Sequence, residues 1–402
     1  MLGGFKVTLK DRIFDERNLL DSCKSIAKAM QRATHAVPYR SKKYFHDIQR
    51  LNHKPQEVSA LVVLQFRESP KVQFRRFVRA IPKKPGGKPE RPISLFSIEA
   101  RVLLRATLNV LWPIIEPIIV PSIAFCTFRK QGLHSPRGVV MATTELRDAR
   151  RNSEVYVFET DIEGFFDKID RKKLLAILLD LVPDNSVDEL LETILNTETD
   201  LDHQTMSEIA FDVESGVPQG SALSPLLACA YLSPFDISIQ SKGWKMIRYV
   251  DDIVVICDDL SSCEEAGHVI SEEAAKFNLT LKISKTRVVS PTESIEYLGH
   301  TLHSDGRLLP SPRRMKAFAN GIYQRAGTLP KETDTRVASE LSSYIHGFFA
   351  SLSHCDFEDW HYKHAARTVR KALTSRGLSP NRLDQMILRS RKWHPSFAGE
   401  LK

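Results

Sequence analysis

Apolar residues recur at helical spacing towards both ends of the chain and alternate along several short stretches of its middle, so helices are expected to flank a mixed centre. Short helical patterns cover residues 19–32 and 44–51, and a longer one runs from Ile98 to Trp112, where Pro113 and Pro117 are expected to interrupt it. Val72, Phe74, Phe77 and Val78 alternate like a strand, and Pro85-Gly86-Gly87 marks a turn, giving a hairpin whose tip carries Lys83, Lys84, Lys88 and Arg91. A second strand is expected to end near Asp161, because Val155, Val157 and Glu159 alternate with Tyr156, Phe158 and Thr160. Residues 172–181 then read as a helix stopped by Pro183, and residues 184–205 as polar helix plus loop.

Further on, Ser224-Pro225 reads as a helix entry, with Ser224 as N-cap and Pro225 at the first helical position. Two β-branched apolar runs surround Asp251 and Asp252 in the stretch 247–256. Neighbouring side chains on a regular strand point to opposite faces, so two adjacent acids address one site only at a turn. The expectation is a hairpin with both carboxylates at its tip. Residues 271–277 look helical, Leu279 to Thr286 alternates like a strand carrying Lys285, and Tyr297 to His300 lies at another strand end. From Ser311 onward helices dominate. Val337, Leu341, Tyr344, Ile345, Phe348, Phe349 and Leu352 share one helical face, and Arg367, Arg370, Lys371 and Arg376 give the next helix a basic side.

Composition narrows the class. Forty-two per cent of the residues are apolar, no apolar run reaches the roughly 20 residues of a membrane span, and the N-terminus lacks the apolar core of a signal peptide. A cytoplasmic protein without a membrane partner is expected. The six cysteines are scattered with no Cys-x-x-Cys pair, which speaks against a disulfide framework or a zinc ribbon. Charge is strongly sorted: residues 1–150 carry 28 Lys and Arg against 12 Asp and Glu, residues 151–300 carry 12 against 28, and residues 301–402 carry 17 against 9. Basic flanks suit a polyanion whose phosphates release counterions on binding. An acidic centre would repel that polyanion unless its carboxylates hold cations.

Within that centre Asp161, at a strand end beside Phe165-Phe166, is a candidate metal ligand alongside Asp251 and Asp252. Gly216 and Gly220 allow close approach of a backbone to a ligand, with Gln219 presented between them. His354, Cys355, His361 and His364 are metal-ligating by type, but their spacing matches no common zinc site, and packing and phosphate contact are expected instead.

Taken together, the motifs resemble a reverse transcriptase. TDIEGFFDKID at 160–170, GVPQGSALSP at 216–225, YVDD at 249–252, the lysine at 285 and YLG at 297–299 fall in that family's order. Their style is similar to bacterial, group II intron-like enzymes. The Asn-Ala-x-x-His and Val-Thr-Gly elements of retron enzymes are absent from the sequence, and Gln-Gly-x-x-x-Ser-Pro, altered in diversity-generating enzymes, is represented here by its intact counterpart at 219–225. The stretch after residue 311 is short for maturase and endonuclease regions. By exclusion the chain most resembles stand-alone reverse transcriptases of anti-phage defence.

The resemblance implies an α+β, right-hand polymerase fold: an N-terminal region and fingers over 1–150, a palm over 151–306 with an antiparallel sheet, and a helical thumb over 307–402. It implies two Mg2+ ions held by Asp161, Asp251, Asp252 and the Ile162 carbonyl. It places Lys83, Lys84, Arg91, Phe166, Gln219, Gly220 and Lys285 around the nucleotide, and Tyr249, Tyr297, Leu298 and Gly299 at the primer. Phe166 would sit under the sugar and Lys285 would support the acidic site. The implied partners are an RNA template, a cognate non-coding RNA in the defence reading, deoxynucleoside triphosphates and the DNA product, with a homo-oligomer or a partner protein left open. Two alternatives stand beside templated synthesis: a non-templated or protein-primed polymerase on the same fold, and a non-catalytic RNA-binding scaffold.

Overall fold

The computed structural model describes residues 7–34, 42–68, 75–79, 93–119, 138–201, 215–327, 334–375, 385, 387–388 and 394–401. Helices α1 (Leu9–Ile13), α2 (Glu16–Thr34), α3 (Lys42–His53) and α4 (Pro55–Phe66) precede strands β1 (Arg75–Arg79) and β2 (Ile93–Phe96). There follow α5 (Ile98–Ile119), α6 (Val139–Asn152), β3 (Tyr156–Asp161), α7 (Phe165–Lys168), α8 (Arg171–Leu181), α9 (Asp188–Leu195) and β4 (Glu198–Leu201). Next come α10 (Ser224–Ser241), β5 (Lys245–Tyr249), β6 (Asp252–Cys257), α11 (Leu260–Ala275) and β7 (Arg287–Val289). The C-terminal part holds β8 (Ile295–Tyr297), β9 (His300–Leu302), β10 (Leu308–Pro310), α12 (Pro312–Gly327), α13 (Asp334–Ser351), α14 (Asp359–Thr374) and α15 (Pro395–Leu401).

The strands form three sheets in the orders β2-β1-β4, β10-β9-β8 and β5-β6-β3-β7. Pairing of β1 with β2 is antiparallel, with Phe77 opposite Leu95 and Arg79 opposite Ile93, and β1 also pairs β4 in parallel. These are the arms of the expected basic hairpin. Its tip, with Lys83, Lys84 and Arg91, lies outside the described residues, as does Arg376. Helices gathered at both ends of the chain and a mixture of antiparallel and parallel strand pairing make this an α+β fold, the class expected from the sequence.

Two compact units divide the chain: Met1–Thr127, Glu159–Val255 and Glu265–Thr286 form one, and Phe128–Phe158, Ile256–Glu264 and Arg287–Lys402 the other. In the first, α5 is the hub, packed against α1, α2, α4, α8 and α10. It runs on through Pro113 and Pro117, contrary to the interruption expected from the sequence. Both prolines are exposed, while Leu111, Trp112, Ile115 and Ile119 are buried. A proline inside a helix removes one backbone N–H and its hydrogen bond. On the water-facing side the freed carbonyls can be hydrated, and the buried face holds the axis. With both prolines included, α5 is long and apolar enough to cross a membrane by length and composition, which corrects the absence of such a run inferred from the sequence; 61% of its most apolar window is buried within the protein. It is the core helix of its unit.

In the second unit the core is built by Met315, Phe318 and Ile322 of α12, Val337, Leu341 and Ile345 of α13, and Val369 and Leu373 of α14. Tyr344, Phe348 and Phe349 pack against it, partly buried, with the Phe348 ring stacked on Phe318 at 3.9 Å between centroids. The helical face legible in the sequence is the one that α13 turns inward.

Candidate active site

The site starts from a strand end and a hairpin turn that meet in the first unit. Strand β3 buries Val157 and Phe158 and stops at Asp161, where the ladder continues as a single antiparallel bridge between Ile162 and Leu281. The Lys282 N–H donates to the Asp161 carbonyl (2.8 Å), and the Ile162 N–H donates to the Asp251 carbonyl (3.1 Å). Backbone hydrogen bonds thus fix the acid at the strand end relative to the turn that carries the other two. That turn joins β5 to β6, the hairpin expected around Asp251 and Asp252, and its flanking Ile247, Ile253, Val254 and Val255 are fully buried.

The turn is strained. Val250 has φ 60°, a conformation that a β-branched residue reaches only at a cost of about 1–3 kcal/mol. Arg248, fully buried on β5, holds it: Nη1 donates to the Val250 carbonyl at 2.9 Å, while Nε and Nη2 form a two-pronged contact with the Asp236 carboxylate of α10, Nε at 2.7 Å from Oδ1. Burial pushes the Asp236 pKa up and Arg248 opposes that push. A fork of this geometry needs a carboxylate, so the pair is ionic. Arg248 falls within the stretch 247–256, where the sequence pattern assigns it no role. The available signal was a lone arginine inside a buried apolar strand, which requires an acid partner.

Lys285 reaches the site by a route the alternation of residues 279–286 did not predict. Instead of a strand, Ile283–Lys285 make a single 3-10 turn. The turn leaves Ile283 90% exposed, and Lys285 Nζ donates to Asp161 Oδ2 and to Asp252 Oδ1, the latter at 3.4 Å. A hydrogen bond of 2.7 Å between the Thr160 and Thr286 hydroxyls anchors the end of this segment. Burial raises the Asp252 pKa above the usual carboxylate range; the Lys285 charge works against that rise and the Asp161 charge adds to it. Burial alone would lower the Lys285 pKa, but the hydrogen bond it donates to Asp161 and the charges of Asp252 and Asp161 outweigh it, so the value is raised. One buried and one partly exposed carboxylate that repel one another and draw in an ammonium are a donor set that fits a hard divalent cation.

The nucleotide-side motifs meet in the same unit. Gln219 Nε2 donates to Asp167 Oδ1 (3.1 Å), and the Gln219 carbonyl accepts from the Ser94 N–H of β2 (2.8 Å). Ser215 Oγ donates to the Asp167 carbonyl (2.8 Å), Val217 N–H to the Phe166 carbonyl (2.8 Å), and Arg171 Nε to the Gly216 carbonyl (2.8 Å). The loop at 215–223 is therefore latched to the segment that follows Asp161. Phe165 is buried, as expected of a packing residue, and Phe166 is half-buried with its ring 5.6 Å from that of Phe165. Ser224 is not the N-cap expected: α10 begins at Ser224 itself, whose hydroxyl donates to the Pro218 carbonyl at 2.6 Å and closes the loop from within. Asp167 and Arg171 are contributors that the motif reading passed over.

Gly216 makes this latch possible. At φ 75° an added Cβ would stand 2.6 Å from the Phe166 carbonyl oxygen and 2.8 Å from Asp167 Cα, both backbone atoms that cannot step aside. Gly216→Ala is expected to cost at least about 2 kcal/mol of stability in urea unfolding, from the left-handed conformation plus the clash. A change within about 0.5 kcal/mol, the scale of a neutral surface substitution, would contradict this contact.

Tyr249 is half-buried at the end of β5, with burial and the Asp252 charge raising its pKa. Tyr297, Leu298 and Gly299 belong to the second unit, where Tyr297 is buried and Leu298 (φ 48°) and Gly299 (φ 75°) form the tight turn between β8 and β9. The histidine and cysteine set weighed from the sequence is divided. His361 pairs locally with Glu358, whereas His354 and Cys355 are joined by His300, which sequence spacing could not bring to them. Burial, then the charges of Arg314 and His354, lower the His300 pKa to about 4, and burial pushes the Cys355 thiol up to about 12.

Acids at a strand end and at a hairpin turn are thus gathered with a lysine between them and a glutamine loop in the same unit, an arrangement suited to divalent cations. Residues 81–302 match the family described as "Reverse transcriptase (RNA-dependent DNA polymerase)". The chain belongs to that family and is an RNA-directed DNA polymerase. It is 25% identical over 306 residues to Protein YkfC of Escherichia coli K12, across 66% of this chain and 73% of that one. It is 29% identical over 163 residues to an uncharacterized 91 kDa protein in a cob intron of Schizosaccharomyces pombe, covering 40% of this chain and 18% of that protein. Among solved structures, apo telomerase from Candida tropicalis aligns with a TM-score of 0.49 at 12% identity, covering 82% of this chain and 68% of that one.

Proposed function

We propose that the chain copies an RNA template into DNA by two-metal nucleotidyl transfer, with Asp161, Asp251, Asp252 and the Ile162 carbonyl as ligands of two Mg2+ ions. The observation that supports this is the pairing of Lys285 with both Asp161 and Asp252, a cation already drawn to the place where cations are required. The primer 3′-hydroxyl gives up its proton to solvent, and its oxygen forms a bond to the α-phosphorus of the incoming nucleotide while the bond to pyrophosphate breaks. Bound magnesium would supply Lewis-acid activation of that hydroxyl and charge neutralisation of the leaving phosphates. The protein's own part is to hold its carboxylates in register through the Ile162, Asp251 and Lys282 backbone contacts and to keep the turn rigid through Arg248. Gln219, Gly220 and Lys285, with Lys83, Lys84 and Arg91, would line the nucleotide site. Tyr249, Tyr297, Leu298 and Gly299 would line the primer path. Fingers, palm and thumb would then span 1–150, 151–306 and 307–402.

Phe166 would act as the barrier to ribonucleotides, since a ring beneath the sugar clashes with a 2′-hydroxyl. Phe166→Ala is expected to reduce the ratio of kcat/KM for deoxynucleotide over ribonucleotide by about tenfold or more. An unchanged ratio with normal deoxynucleotide incorporation would assign the ring to packing alone.

The finer biological reading is a cytoplasmic enzyme working with a cognate non-coding RNA in anti-phage defence. Motif style and the missing retron elements support it. Expressing the chain from its native flanking DNA, immunoprecipitating it and sequencing the bound nucleic acid beside an Asp251→Ala, Asp252→Ala control tests it. DNA complementary to one co-purifying RNA, absent from the control, is the expected result. Simple-repeat DNA without a matching RNA would favour non-templated synthesis, and bound RNA without DNA would favour a scaffold.

A further inference from the structure

In the second unit, far along the chain from the carboxylates, three metal-binding side chains converge. His300 opens β9, His354 and Cys355 lie in the loop after α13, and one ligand atom from each falls within 4.8 Å of the others. The two imidazoles approach through Nε2, 3.1 Å apart. His300 Nδ1 lies 3.0 Å from the Leu298 carbonyl. A carbonyl only accepts, so Nδ1 carries the ring hydrogen and Nε2 keeps its lone pair on the side where His354 Nε2 approaches. Such an outer hydrogen bond is how a metal-ligating histidine is oriented. His300 is 1% exposed, so the lone pair is directed into the protein and not to bulk water.

We propose that His300, His354 and Cys355 bind a zinc ion through two imidazole nitrogens and a thiolate, with water completing the coordination. Zinc takes nitrogen at about 2.0–2.1 Å and sulfur at about 2.3 Å, which separates tetrahedral ligands by about 3.3–3.6 Å, so ligand atoms within 4.8 Å of one another need to move by about 1.5 Å at most. Two nitrogens and one sulfur also favour zinc over magnesium, which takes oxygen. On binding, the Cys355 S–H bond breaks, its proton leaves to solvent and a sulfur–zinc bond forms. The ion would tie the Tyr297-Leu298-Gly299 turn to the loop between α13 and α14. Arg314 Nη1 stands 3.4 Å from the same His300 Nε2 and supplies positive charge there in the metal-free chain. It competes with the ion and weakens its binding. The proposal does not rest on the polymerase reading, because its ligands are separate from the acidic site and its test measures metal, not synthesis.

The test is elemental analysis of the full-length chain, purified without a polyhistidine tag, followed by cobalt titration of the chelator-treated protein. About one zinc per chain is expected, with a thiolate-to-cobalt charge-transfer band that Cys355→Ser removes. That conservative exchange keeps the fold, which circular dichroism verifies. Arg314→Gln is expected to tighten zinc by about tenfold, since it removes a positive charge beside the ion. A native chain that takes up neither zinc nor cobalt, a charge-transfer band that survives Cys355→Ser, or an affinity unmoved by Arg314→Gln would each overturn the assignment.

Discussion

Asp161→Asn is expected to lower single-nucleotide addition by at least about 100-fold, the scale of losing one preorganised electrostatic group, while leaving the melting temperature unchanged or higher. The two halves of that expectation have one cause. Asp161 is 11% exposed at its side chain and shares Lys285 with the more exposed Asp252, so two negative charges are held close together around one ammonium. One ammonium partly offsets two carboxylates, so the pair keeps a net negative charge that a divalent cation would neutralise. Asparagine keeps the shape, can still accept from Lys285 and relieves the repulsion on Asp252. Activity therefore falls as stability holds, the trade expected where a site is built for function. Primer extension and thermal unfolding in EDTA, run side by side, measure both. A variant that keeps activity would remove Asp161 from the chemistry, and one that loses activity and stability together would make it a structural residue.

Arg248→Met is expected to destabilise the chain by about 3–5 kcal/mol, because it strands the buried Asp236 carboxylate. Out of a total of about 5–15 kcal/mol for an ordinary folded domain this is a severe loss. The double variant Arg248→Met, Asp236→Leu removes the unpaired charge and is expected to recover most of the stability, as apolar replacements of buried ion pairs do. Activity should not recover with it. Arg248 also holds the Val250 carbonyl, and without that contact the strained turn carrying Asp251 and Asp252 is free to relax. A displacement of about 1 Å at reacting groups costs on the order of 100-fold in rate. Urea unfolding and primer extension of the single and double variants separate the two roles. Full activity in a stable double variant would show that the turn needs no such anchor.

The acidic site was legible because its pieces are local. A strand that ends at an acid, and a hairpin with two acids at its tip, each declare themselves within ten residues. What escaped depends on partners far apart in the chain. Arg248 and Asp236 lie on different elements, so the sequence shows a charged residue in an apolar run without showing what neutralises it. His300 meets His354 across 54 positions, a distance no spacing rule covers. Two further departures came from local rules overruled by packing. Helix α5 continues through two prolines because its other face is buried, and the stretch around Lys285 tightens into a turn because Asp161 and Asp252 draw the ammonium in. In both cases the tertiary context outweighs a preference of about a few kcal/mol or less.

The most direct measurement is to give the purified full-length chain a DNA primer annealed to an RNA of defined sequence, with deoxynucleotides and Mg2+, and to sequence what it makes. DNA complementary to the RNA, dependent on the divalent ion and absent with Asp161→Asn or Asp251→Ala, is the predicted result. No extension with any divalent ion or template, the chain's own co-purified RNA included, or a product unrelated to the template, would contradict it.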